Sequence, residues 1–168
     1  MKKLLLVVVL GLSFLGFSQT IKLKKGEVLV DGTPWIKYQE CGTFDSTCSL
    51  LNNQKEEVVF IKTVAVQGVE PRTASNPNGT LSYYEVVFVG QKMKIELQKS
   101  QKSIIEIIYN GKAINEDGTL NPEKVDRLVE KYGTPFSDRL NRGNNQGTII
   151  INNNQAPQRS GININLGR

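Results

Sequence analysis

From Ile21 onward, apolar positions recur at a spacing of two, the period of a half-buried strand. Ile21 and Leu23 alternate with Lys22 and Lys24, then come Val28 and Val30, and Asp31-Gly32 supplies a turn before Trp35 to Glu40. The pattern predicts a hairpin. After a Cys48 to Leu51 stretch, Asn52 to Lys55 carry turn chemistry, and Glu57 to Val66 is a β-branched run, long for a single strand. Pro71, Pro77 and Gly79 interrupt the chain between Gln67 and Thr80, so a loop is expected there. Leu81 to Val89 and Lys92 to Gln98 then flank Gly90-Gln91, which suits a two-residue type II′ turn. In the second of these strands Met93, Ile95 and Leu97 alternate with Lys92, Lys94 and Glu96, leaving one wet face and one that needs a cover.

Two helix patterns follow and supply the cover. Ser103 and Glu106 have capping-box spacing, and Ile104, Ile105, Ile107 and Ile108 fit a helical stripe, although so many β-branched residues leave a strand open. The second pattern has sharper ends: Asn121 as N-cap, Pro122 at the first helical position, Val125, Leu128 and Val129 as the apolar face up to Tyr132, and Gly133 as the stop. Strands followed by helices predict an α+β fold, an antiparallel β-sheet meander with two short C-terminal helices packed on one face. An Asn-rich tail completes the chain.

The predicted organisation is a leader over 1–18, one α+β domain over 19–139, and a tail over 140–168. The leader has Lys2 and Lys3 ahead of an apolar run, Leu4 to Phe17, closed by the small residues Gly16 and Ser18, which is the layout of a secretory signal peptide. Its 14 residues fall short of the about 20 needed to cross a bilayer. Cleavage after Ser18 is therefore favoured over an uncleaved anchor, with Gln19 as the new amino terminus. The Met-Lys-Lys start with a Phe-Ser-Gln end resembles the signal peptides of small exported proteins of Bacteroidetes. That resemblance bears on origin and export alone.

Charge adds little to the body and more to the tail. Removing Lys2 and Lys3 lowers the basic count from 21 to 19 against 16 acids, too small an excess to imply a nucleic-acid partner. The excess lies in Arg139, Arg142, Arg159 and Arg168, beyond which no acid occurs. Between them, eight asparagines surround two short apolar alternations, Thr148 to Ile151 and Gly161 to Leu166. Low complexity favours disorder in isolation, while Ile149, Ile151, Ile162 and Ile164 suit strands that pair with a partner. Together with Arg142 and Arg159 they are the expected partner-binding residues.

Cys41 and Cys48 are the only cysteines. In an oxidising compartment they are expected to form a structural disulfide, worth on the order of 2.5 kcal/mol in the chain-entropy model. Their spacing is not that of a redox-active Cys-x-x-Cys pair. With no histidine in the chain and no further cysteines, a zinc site lacks ligands, and Ser-His or Cys-His catalysis lacks its base. Ala113 to Lys124 places Asn115, Asp117, Gly118 and Leu120 on positions of a calcium-binding EF-hand loop, but Ala113 and Lys124 stand where its first ligand and bidentate carboxylate belong. The expectation is a helix-helix connection turned by Asp117-Gly118. No cofactor or metal is expected. Asp45-Ser46-Thr47 resembles the short O-glycosylation sequence of Bacteroidetes, with a polar turn as the plainer reading, and Asn78-Gly79-Thr80 reads as a turn before a strand. Tyr84 and Phe88 fall on one side of their strand and Tyr83 on the other.

The functional expectation is an exported, non-enzymatic accessory protein of the cell envelope or secreted fraction that binds a protein partner, reaching the membrane only through that partner. Two alternatives stay open. One is a small-ligand carrier or enzyme of uncommon type with a pocket between sheet and helices; the other is a periplasmic hydrolase inhibitor using the loop Gln67 to Thr80.

Overall fold

A computed structural model of the chain describes residues 20–42 and 44–142. The expected leader over 1–18 and the tail beyond Arg142 lie outside the described residues. The chain divides into two units, Met1–Gly133 and Thr134–Arg168.

In the first unit seven strands form one antiparallel sheet in chain order. They are β1 (Ile21–Lys24), β2 (Glu27–Val30), β3 (Thr33–Gln39), β4 (Thr47–Leu51), β5 (Glu57–Val66), β6 (Leu81–Phe88) and β7 (Met93–Leu97). Two helices follow, α1 (Gln101–Asn110) and α2 (Pro122–Tyr132). The α+β meander expected from the alternation is the observed architecture.

The first turns explain why the meander starts so tightly. Lys25 and Gly26 both have positive φ, as do Asp31 and Gly32, and two such residues in succession give the type I′ geometry whose twist matches that of the flanking strands. Pairings Lys24↔Glu27 and Val30↔Thr33 close around them. β5 is a single strand of 10 residues, paired to β4 between Glu57 and Lys62 and to β6 from Val59 to Val66. Asn52 holds the β4–β5 turn by accepting from the backbone N–H groups of Gln54 and Glu56.

Register fixes which face is apolar. Cys48, Leu50, Val59, Ile61, Val86, Phe88, Ile95 and Leu97 share one face of the sheet and pack with Ile104, Ile105 and Ile108 of α1 and Val125 and Leu128 of α2. On the reverse face Glu85 forms ion pairs with Lys62 and Lys94, at 2.8 and 2.7 Å. Tyr84 packs against the core from the same side as Phe88, while the buried Tyr83 points to the other side.

Two local expectations are corrected. The chain between β6 and β7 is a four-residue connection, Val89 to Lys92, closed by the pair Phe88↔Met93, in place of a two-residue turn at Gly90-Gln91. Val89 has left the β6–β7 ladder and donates its N–H to the Val58 carbonyl at 3.0 Å. The first helix begins at Gln101, and its cap is Ser100, whose hydroxyl accepts the Ser103 N–H at 3.2 Å. Ser103 therefore lies inside the first turn. The second helix has the ends its sequence announced: Asn121 accepts from the Lys124 N–H, Pro122 opens it, and Gly133 closes it with φ of 53°.

The Ala113 to Lys124 stretch is a connection between helices up to the cap Asn121, and its last three residues are the first turn of α2. Asp117 accepts both the N–H and the hydroxyl of Thr119, Gly118 turns the chain with φ of 85°, and Ile114 bridges to Leu120. Those hydrogen bonds from Thr119 hold the Asp117 carboxyl below its ordinary value. Among the described residues no helix is long and apolar enough to cross a membrane. In the second unit residues 135–142 are helical, with Thr134 donating to the Asp138 carboxylate and Arg142 donating to the Asp138 carbonyl.

Candidate binding cleft

The connection from β3 to β4, residues 40–46, is stapled at its base by a disulfide between Cys41 and Cys48, as the isolated cysteine pair led one to expect. Cys48 is fully buried and Cys41 nearly so, so the bridge belongs to the edge of the core. A second tie comes from α1. The buried Gln101 accepts from the Gly42 N–H at 3.1 Å and donates to the Asp45 carbonyl at 2.9 Å. The loop is thus fixed by one covalent bond and one amide before it turns outward.

Outward of these ties stands Phe44, fully exposed to solvent. Burying a phenylalanine side chain is worth about 1.5–3 kcal/mol, so a ring held clear of the protein on an anchored loop forgoes that stabilisation within its own fold. Ser46, the residue of the glycosylation-like triplet, is also exposed on this loop, and its carbonyl accepts the Thr63 N–H.

Beside the loop lies an open cleft of about 700 Å³. All four residues of β1 line one wall, Cys41-Gly42 and the start of α1 from Ser100 to Lys102 line another, and Tyr38 and Tyr84 complete it. Tyr38 comes from β3 and Tyr84 from β6, so the meander curls enough to bring its first strand and its sixth to one cleft. Lys22, Lys24 and Lys102 are exposed around it, and no carboxylate is among the described residues that line it. Among the described residues these three lysines make no ion pair.

A second cleft of about 510 Å³ lies near the α1–α2 connection, next to Trp35 and Tyr109, whose rings meet edge to face at 4.9 Å. Its amides are occupied with each other: Asn115 donates to Thr119 and accepts from Asn121. It reads as the far side of a structural turn.

Of the residues expected to bind a partner, Arg142 is described, exposed on the helical stretch 135–142. Ile149, Ile151, Arg159, Ile162 and Ile164 lie outside the described residues. Sequence reading missed Phe44 and the cleft. Lys22 and Lys24 were visible as the polar half of an alternation, but their convergence with Lys102 and two tyrosines from distant strands left no periodic trace. Among the described residues no group of three or more Cys, Asp or Glu is placed to hold a metal ion.

The chain matches no protein-family model, no curated protein and no solved structure.

Proposed function

We propose that this is an exported, non-enzymatic accessory protein of the cell envelope or secreted fraction, acting by binding another macromolecule through the disulfide-stapled loop and the cleft beside it. The observation that carries the reading is Phe44. An aromatic ring held in water on a doubly anchored loop has the character of an interface anchor, since aromatic residues dominate binding energy when a partner buries them. The disulfide fits an oxidising compartment, where such a staple persists. The cleft is lined by three lysines and two phenols beside Ser100 and Gln101, a set suited to recognition of an anionic surface.

The test is capture of partners from detergent-solubilised native envelopes on the immobilised product of the full chain, compared with its Phe44→Ser variant and read by mass spectrometry. Among the described residues nothing packs on Phe44, so the variant should melt with the parent while retaining at least tenfold less of the partner. Equal retention by the two proteins, or an empty capture by the parent, would overturn the proposal.

A further inference from the structure

We infer that β1 is a docking edge for an extended, acidic peptide segment of the partner, which adds to the sheet as an eighth strand. The inference rests on the macromolecular-binding reading above and names the element recognised.

The two edges of the meander differ. At β7 the Glu96 N–H donates to the Gly133 carbonyl at 3.0 Å, so the end of α2 occupies that side. At β1 the register shows what is left over. The type I′ turn at Lys25-Gly26 makes Lys24↔Glu27 a hydrogen-bonded pair, and bonded and non-bonded pairs then alternate along the ladder. Lys22↔Leu29 is therefore bonded inward, and the Asp31 N–H reaching the Thr20 carbonyl at 3.0 Å continues the same parity. Ile21 and Leu23 must then direct their N–H and C=O groups away from β2. Among the described residues nothing pairs with them. Four residues at about 3.3 Å each give roughly 13 Å of available edge.

An unpaired edge alone invites any strand, and lysines on it commonly serve to deter partners. Here the lysines border a cleft. A strand laid along β1 would have one set of alternate side chains beside Lys22 and Lys24, within about 5 Å across the pair. Its other set would lie beside Ile21 and Leu23, toward Tyr38 and Tyr84. The matching sequence has acids at i and i+2 with an apolar residue between them. Backbone bonds would supply affinity and the alternating side chains specificity, as in other strand-addition complexes. The chain's own tail carries the wrong sign, with four arginines and no acid after Asp138.

The experiment is selection of a displayed random-octapeptide library on the immobilised product of the full chain, followed by affinity measurements on the selected peptides in solution. Selected sequences should carry the acid-apolar-acid alternation. Their affinity should fall at least tenfold on Lys22→Glu/Lys24→Glu, and comparably on Leu23→Pro, which removes an outward N–H while sparing the inward ladder. N-methylating the peptide amide that faces Leu23 should also cost at least tenfold. The doubly charge-reversed protein alters only exposed side chains, so it keeps the test valid if Leu23→Pro fails to fold. Selection of no peptide, of peptides without acids, or of peptides indifferent to N-methylation would overturn strand addition. So would tight binding of polygalacturonate in place of any peptide. If envelope capture depends on Phe44 but survives Lys22→Glu/Lys24→Glu, the binding function stands and the docking edge falls.

Discussion

Reduction of the Cys41–Cys48 bridge tests whether the loop that carries Phe44 is held mainly by covalent closure. Eight residues from Cys41 to Cys48 lie within the closed loop, and the chain-entropy model assigns to that length about 2.5 kcal/mol, through restriction of the unfolded chain. At roughly 4 °C per kcal/mol for a domain of this size, the melting midpoint should fall by about 10 °C. Reduction keeps both sulfur atoms in place, whereas Cys41→Ala/Cys48→Ala also removes the packing of the fully buried Cys48. The double alanine variant should therefore lose about 1–2 kcal/mol more. Urea titrations of the oxidised and reduced protein and of the variant, with thiol quantitation before each run, measure all three. The denaturant slope should rise slightly on reduction, because the unlinked chain unfolds to a more exposed state.

Gln101 separates two accounts of that loss. If the bridge acts only on the unfolded chain, the costs of reduction and of Gln101→Ala should add, since the amide's bonds to Gly42 and Asp45 survive without it. If the bridge also positions the loop in the native state, the two should couple by more than about 0.5 kcal/mol. A midpoint unmoved by complete reduction would refute the closure argument altogether.

Other residues give sharper single measurements. Burial pushes the Glu85 carboxyl up, but hydrogen bonds and charges from Lys62 and Lys94 outweigh it and hold the group below its ordinary value. Its stabilisation is then present above the unfolded carboxylate value of about 4.3 and lost as pH falls through the lower folded value. Glu85→Gln should cost about 1 kcal/mol at pH 7, the half-exposed lysines screening the rest, and should flatten the acid limb of stability against pH; an unchanged limb would sink the assignment. Lys94 is the converse case, raised chiefly by its hydrogen bond to Glu85, so its contribution holds below the ordinary lysine value and fails only at pH above it. Asn121→Ala should cost about 1 kcal/mol by urea titration, through loss of the bond from the Lys124 N–H. Gly79→Ala should destabilise by at least about 1 kcal/mol, because φ is 59° there and a Cβ would run into the Glu70 carbonyl; wild-type stability in that variant would show the loop Gln67 to Thr80 to be free to rearrange.

What the sequence made legible was whatever depends on neighbours along the chain. Alternation named the strands, Asp31-Gly32 named a turn, and Asn121, Pro122 and Gly133 marked the ends of α2, because each acts within four residues of itself. The misplaced start of α1 follows from the same locality. Its apolar stripe opens at Ile104, but the first turn is buried at Gln101 by an amide bonded to a loop some 56 residues earlier, which no helical period records. The β6–β7 connection was misread because Val89 pairs with Val58 on the far side of β6 instead of extending its own hairpin. The cleft belongs to this second class. Tyr38 and Tyr84 meet β1 because the sheet curls, and curvature accumulates from twist over several strands rather than from any residue pattern; Lys102 meets it because α1 packs beside β1. The open edge itself, however, was implicit in the register: once Lys25-Gly26 is a two-residue turn, parity alone assigns Ile21 and Leu23 to the outside. What the fold adds is the set of exposed lysines that line the cleft beside that edge.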